Sequence, residues 1–167
     1  MPAAGTSPGG QLLQALEHGG VGEAMRSSMW LYPAVETVHI VGFILLVGAV
    51  LMFDLRVLGL SKRVSVRMLA SHLLPWGAAA LLLIVPAGLL MFTADAEAMV
   101  GNRAFLLKML LLMAAGTNAA AFHLGAFRSV DAWDQGVTAP LTARLHAGAS
   151  LLLWLAIVTC GRMIAYV

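Results

Sequence analysis

Leu73 to Ala94 contains no charged side chain, and no soluble fold has an ordinary use for so long an apolar run. A helix that crosses a bilayer needs roughly 20 mostly apolar residues. Four stretches meet that length: Leu31–Phe53, Leu69–Thr93, Ala104–Phe127 and Leu141–Ala165. Composition agrees, because 60% of the chain is hydrophobic and 11% is charged, against about 25% charged in soluble domains. The sequence therefore predicts an all-α integral membrane four-helix bundle embedded in a lipid bilayer. Pro75 and Pro86 do not oppose the second span, since neighbouring helices or water can satisfy the freed carbonyls. Pro86 with Gly88 marks a place for a kink.

Ahead of the first span, residues 1–10 are rich in Pro, Gly and Ala and read as a disordered N-terminus with no signal-peptide pattern. Residues 11–30 read as an interfacial amphipathic segment: Gln11–Leu16 and Glu23–Trp30 carry apolar positions at helical spacing, broken by Gly19 and Gly20. Residues 31–167 form the transmembrane domain. Trp30 and Tyr32 stand where aromatic side chains meet headgroups.

Even-numbered crossings put both termini on one side. The opposite loops carry Arg56, Lys62, Arg63, Arg67, Arg128 and Arg144, whereas the terminal side carries Arg26, Arg103, Lys108 and Arg162. Cytoplasmic loops hold the excess of Lys and Arg. We therefore expect a bacterial inner (cytoplasmic) membrane protein with both termini outside the cytoplasm. A formal net charge of +2, spread thinly, gives no nucleic-acid footprint. The single cysteine, Cys160, has no intramolecular disulfide partner. No phosphate loop, HExxH or GxSxG motif points to catalysis.

Each span carries one histidine, His39, His72, His123 and His146. Ionisable groups within a span are costly and mark function by default. One imidazole per helix is what a haem b site in a bundle needs, since two axial histidines hold the iron without a covalent tether. His39 lies fifteen residues before Asp54, roughly 22 Å from the loop boundary. His72, His123 and His146 share the opposite level, so two of these three are the expected haem ligands. Gly116, Ala119, Ala120, Ala143, Ala147 and Gly148 leave room nearby, for a porphyrin or for close helix packing. This arrangement predicts a b-type cytochrome-like electron-transfer protein taking electrons from quinol or passing them to a redox partner protein. The quieter alternative is that these histidines meet water or headgroups at helix ends.

The other half offers softer ligands. His39 shares its level with Met91, Met109, Cys160 and Met163, and thioether, thiol and imidazole suit Cu(I). A copper site on His39, Met109 and Met163 is the alternative expectation, although methionine is also common filler in irregular apolar space. Lys108 and Arg162 can snorkel to the interface or pair with Glu36, and Asp54 can pair with Arg56. Asn118, in mid-span, needs a partner such as a carbonyl on a neighbouring helix. A non-catalytic subunit of a larger membrane complex, or a homo-oligomer, is equally compatible with these small-residue faces.

Several runs carry a resemblance. Trp30–Leu31–Tyr32–Pro33 with Val35–Glu36–Thr37–Val38–His39, together with Asp54–Leu55–Arg56, Leu74–Pro75–Trp76, Asn102–Arg103–Ala104–Phe105 and Gly161–Arg162–Met163, resembles an uncharacterised bacterial family of four-span membrane proteins. That resemblance runs from Trp30 onward and implies the architecture without an activity. More distantly, His39 with Gly42 and the spacing Asn102, Phe105, Lys108 are similar to the copper-resistance D membrane family, which implies copper handling.

Overall fold

Without water to satisfy backbone amides, a chain this apolar closes every amide it can within helices. The computed structural model, described here for residues 8–166, is helical with no strand among those residues. In chain order the helices are α1 (Pro8–Glu17), α2 (Gly20–Ser27), α3 (Leu31–Leu58), α4 (Val66–Ala94), α5 (Ala96–Gly101), α6 (Arg103–Leu124) and α7 (Leu141–Met163), with a 3-10 segment at Ala126–Ala132. The helices α3, α4, α6 and α7 are long and apolar enough to cross a membrane. The protein is a multi-pass, all-α membrane bundle. Residues 1–7, most of the tail expected to be disordered, lie outside the described residues, and Pro8–Gly10 already belong to α1.

The ends of the spans depart from the expected boundaries for local reasons. The helix α3 continues five residues past Phe53, because Asp54 and Arg56 are buried inside the fold instead of marking its edge. It stops at Gly59, whose φ of 115° belongs to the left-handed region. There Gly59 N–H donates to Arg56 O (3.1 Å) and Leu60 N–H to Leu55 O (3.0 Å), the Schellman closure that glycine favours. Ser65 starts α4 by accepting from Met68 N–H at 3.0 Å, and Asn102 starts α6 by accepting from Phe105 N–H at 3.0 Å. Both are ordinary N-caps. Phe127, expected at the end of the third span, falls in the 3-10 segment beyond Gly125. The helix α4 runs unbroken through Pro75 and Pro86.

The four spans pack in the order α4–α3–α7–α6. The backbones of α4 and α6 do not approach each other; the stacked rings of Phe92 and Phe105, centroids 5.9 Å apart, bridge them. Against α4, the α3 helix presents Gly42, where an added Cβ would meet Ile84 Cγ1 at 2.9 Å and Ala80 O at 3.2 Å. Large side chains such as Ile44, Leu82, Leu110 and Leu152 face outward, as lipid allows. The largest buried core lies at the face carrying residues 59–65 and 125–140, called here the loop face. Phe53, Val57, Val66, Phe122, Val130 and Trp133 build it. On the opposite, terminal face, α2 packs against the end of α4, with Gly22 close to Thr93 O and Arg26 Nη1 donating to Ala94 O at 3.1 Å.

Arg56 organises the loop face. Its guanidinium donates to the carbonyls of Val64 (Nε), Lys62 (Nη2, 3.0 Å) and Asp134 (Nη2, 2.9 Å). The Asp134 carboxylate in turn accepts from Arg67 N–H at 2.7 Å and from the Ser65 hydroxyl at 2.8 Å. The Arg67 amide first, then the Ser65 hydroxyl and the Arg67 and Arg56 charges, hold the Asp134 carboxyl below the usual carboxylate range. No Asp54–Arg56 ion pair forms; among the described residues the ion pair is Arg67–Asp131, at 2.6 Å on the surface. Arg56 lies two residues, about 200° of helical turn, from Asp54 and turns toward carbonyls instead.

Candidate functional site

The antiparallel contacts of α3, α6 and α7 place their polar residues at two levels. Toward the loop face, Asn118 of α6 and His146 of α7 clasp each other: Asn118 Nδ2 donates to the His146 carbonyl at 3.0 Å, and Asn118 Oδ1 lies 2.8 Å from His146 Nδ1. A carbonyl only accepts, so the amide nitrogen must face it. The amide oxygen is thereby left for the ring, which must carry its proton on Nδ1. The Nε2 lone pair of neutral His146 is then the basic atom. One helical turn further along α7, the Ser150 side chain lies within hydrogen-bonding reach of the Asp54 carboxyl of α3. Asp54 is 5% exposed, and its Oδ2 is buried with no hydrogen-bond partner. His123 lies half-buried beside Phe122 and Phe127, ring centroids 5.3 and 5.1 Å away.

Toward the terminal face, His39 Nδ1 lies 3.0 Å from the Ile84 carbonyl. The same logic puts its proton on Nδ1 and leaves Nε2 basic. Gly88 makes room for the ring, since a Cβ there would sit 3.1 Å from His39 Cε1. Across the seam, Lys108 lies along Gly161, its Nζ 3.7 Å from where a glycine Cβ would stand, and within electrostatic reach of Cys160 and His39. No Glu36–Lys108 ion pair forms among the described residues. Arg162 instead hydrogen-bonds the Tyr166 hydroxyl and stacks on its ring, 4.7 Å from the centroid.

The two levels are about 15 Å apart along α6, from Lys108 to Asn118. Between them Phe43 and Trp154 meet edge to face with centroids 6.0 Å apart, and Ala115 and Ile157 are buried. The seam is thus polar at both ends and apolar in the middle.

Of the expected haem ligands, His123 and His146 come to the same end of the α6–α7 pair and both abut Phe122, at 5.3 and 6.2 Å. His72 stands exposed on α4, which touches the backbone of neither α6 nor α7. Two axial imidazoles need a porphyrin-wide slot between them; here a buried phenyl ring lies against both. This packing does not fit haem b between His123 and His146. The copper expectation is also not gathered into a cluster: Met109 and Met163 are exposed on the helix surfaces. The Lys108 charge reaches His39 electrostatically and opposes a cation there. No group of three His, Cys, Asp or Glu side chains able to hold a metal occurs among the described residues.

Sequence reasoning found His146, His39 and Asn118 but treated Asp54 as the edge of a span and passed over Ser150. The available signal was spacing: Ser150 follows His146 by four residues and so shares its helix face. Nothing near Asp54 in sequence announces its burial, because Ser150 lies far along the chain.

Comparison with known proteins adds the family alone. A search of the curated proteins and of the solved structures found no match. The model of a family of unknown function, DUF6644, matches residues 21–167, and the chain belongs to that family.

Proposed function

We propose that the protein passes protons across the bilayer along the α3–α6–α7 seam, through two polar clusters separated by an apolar gate. The observation that carries this reading is the collection of Asp54, Lys108, Asn118 and His146 on one seam, with His39 of α3 turned onto the Ile84 carbonyl of α4 at its terminal-face end, while α4 carries no charge from Leu73 to Ala94. Intramembrane ionisable groups arranged in this way mark ion pathways and proton relays. His146 and His39, each with Nδ1–H anchored and Nε2 basic, can accept a proton on one nitrogen without losing their anchor. The Phe43–Trp154 contact serves as the constriction, closed to water at rest as apolar gates are. On the charge bias of the loops, the Asp54 cluster faces the cytoplasm of an inner membrane and the Lys108 cluster faces the other side.

Reconstitution into vesicles containing a pH-sensitive dye, with a potassium diffusion potential imposed, tests this directly. Proton entry above that of protein-free vesicles is the expected result, rising further in Phe43→Ala/Trp154→Ala. Equal traces for empty and loaded vesicles at both polarities would overturn it.

Electron transfer is the second reading, favoured by one observation: the Asn118–His146 bond orients an imidazole in the manner of a metal ligand. Since haem b does not fit between His123 and His146, this reading needs haem b held through a ligand pair other than those two, with quinol or a partner protein as donor. A reduced-minus-oxidised spectrum of unstripped protein separates it from proton transfer, and elemental analysis of the same sample decides the copper alternative. Native mass spectrometry from mild detergent shows whether the chain works as a homo-oligomer or as a subunit of a larger complex.

A further inference from the structure

We infer that Asp54 is an occluded proton-binding site, closed off by Ser150 and placed at the loop-face end of the seam. The inference rests on the proton-transfer reading above and names the residue that holds the proton. Its basis is geometric. The Asp54 side chain is 5% exposed, inside a membrane-spanning helix. Ser150 of α7 lies within reach of it, and Oδ2 is buried with no partner. A carboxylate removed from water without a paired cation is strongly disfavoured, and taking up a proton is the inexpensive remedy. The unpartnered oxygen is where that proton attaches.

No cation is at hand to do the same job. Arg56, two residues along, turns Nε and Nη2 of its guanidinium to the carbonyls of residues 62, 64 and 134, and its buried Nη1 makes no ion pair with Asp54. The charged and titratable groups at this end of the elements around α3 are His146 and Arg144 of α7, His123 of α6, and His72 and Arg67 of α4; His72, Arg67 and Arg144 are exposed, and Arg67 pairs with Asp131. His146 Nδ1 is committed to Asn118, so the basic Nε2 of His146 is the natural next stop for a proton leaving Asp54. A hard metal cation suits the place poorly. Calcium or magnesium takes six or more oxygen ligands, whereas Ser150 is the oxygen partner found on Asp54 and Asn118 Oδ1 is already held by His146.

Dicyclohexylcarbodiimide, an apolar reagent, reads such a group. A protonated carboxyl adds its O–H across one C=N bond, and the O-acylisourea rearranges to a stable N-acylurea, with no atom lost and no change of oxidation state. The full chain in lipid nanodiscs is treated across a pH series, with no gradient imposed, and the adduct is located by peptide mass spectrometry. The expected result is an adduct on Asp54 that grows as the buffer is taken from alkaline to acid and is lost in Asp54→Asn. In Ser150→Ala, which keeps the carboxyl but removes the donor that favours its ionised form, labelling should extend to more alkaline buffer. An adduct confined to exposed carboxyls such as Asp131, no adduct at any pH, labelling of Asp54 indifferent to pH, or protection by sodium ion at constant pH would each overturn the site. Because labelling needs no flux, a labelled Asp54 in a protein that moves no protons would sink the transport reading while leaving the site standing.

Discussion

The α3–α4 pair and the α6–α7 pair solve the same problem by different means. Lipid is as apolar as leucine, so burial gives two membrane helices little reason to meet. The first pair answers with close fit: Gly42, Ala49, Gly77, Ala80 and Ala87 bring the two backbones together over most of their length. The second pair answers with polarity, through the reciprocal Asn118–His146 contact. Gly116 and Gly148, in contrast to Gly42, face open space where a Cβ would meet nothing. The first pair is therefore a rigid wall, and the second leaves room for chemistry.

The largest expected effect comes from breaking the close fit. Gly42→Leu places a side chain where Ile84, Leu83 and the Ala80 carbonyl already stand, and overpacking of this kind costs about 3 kcal/mol. Titration with a denaturing detergent, followed by far-ultraviolet circular dichroism, should show a large fall in midpoint; an unchanged midpoint would mean the two helices are not held by fit. Asn118→Leu attacks the polar pair and should cost about 1 kcal/mol in the same titration, the range of membrane interhelical hydrogen bonds. Combining it with His146→Ala should add little more, since both remove one interaction. Full additivity would argue that the two residues act independently.

The smallest effect sharpens the junction between the pairs. Asp134 links Ser65 and Arg67, ahead of and within α4, to the segment preceding α7. Its folded-state pKa lies below the ordinary aspartate value of 3.8, so its contribution is present above that value and is lost as pH falls through the lower folded one. Acid should therefore loosen the loop face before the spans separate, seen as faster amide exchange in residues 59–65. Asp134→Asn should show that faster exchange already at neutral pH, and should blunt its acid dependence.

The membrane architecture was legible because hydropathy alone reports what a bilayer requires. The four spans, both flanking N-terminal helices and the need of Asn118 for a carbonyl on another helix follow from local sequence. The site was only half legible. Charges in a sequence read as edges of a span, which sets Asp54 and Arg56 at a boundary, whereas Arg56 meets the carbonyl of Asp134 across 78 positions. Counting histidines by depth placed three at one level but could not say which way each faces. His72 stands exposed on α4, and the buried ring of Phe122 packs against both His123 and His146. Rotation about a helix axis depends on packing partners, and a span in lipid can show apolar residues on every side.

The Arg56 grip sets an order on how the molecule is made. Two of its carbonyl partners, Lys62 and Val64, emerge from the ribosome almost at once after it, but the third, Asp134, is synthesised only when the third span is already complete. Until then the guanidinium has a partial set of acceptors and the loop face has no lid from the second pair of helices. The early hairpin must wait in the bilayer, with one cationic hand open, for the later one to arrive.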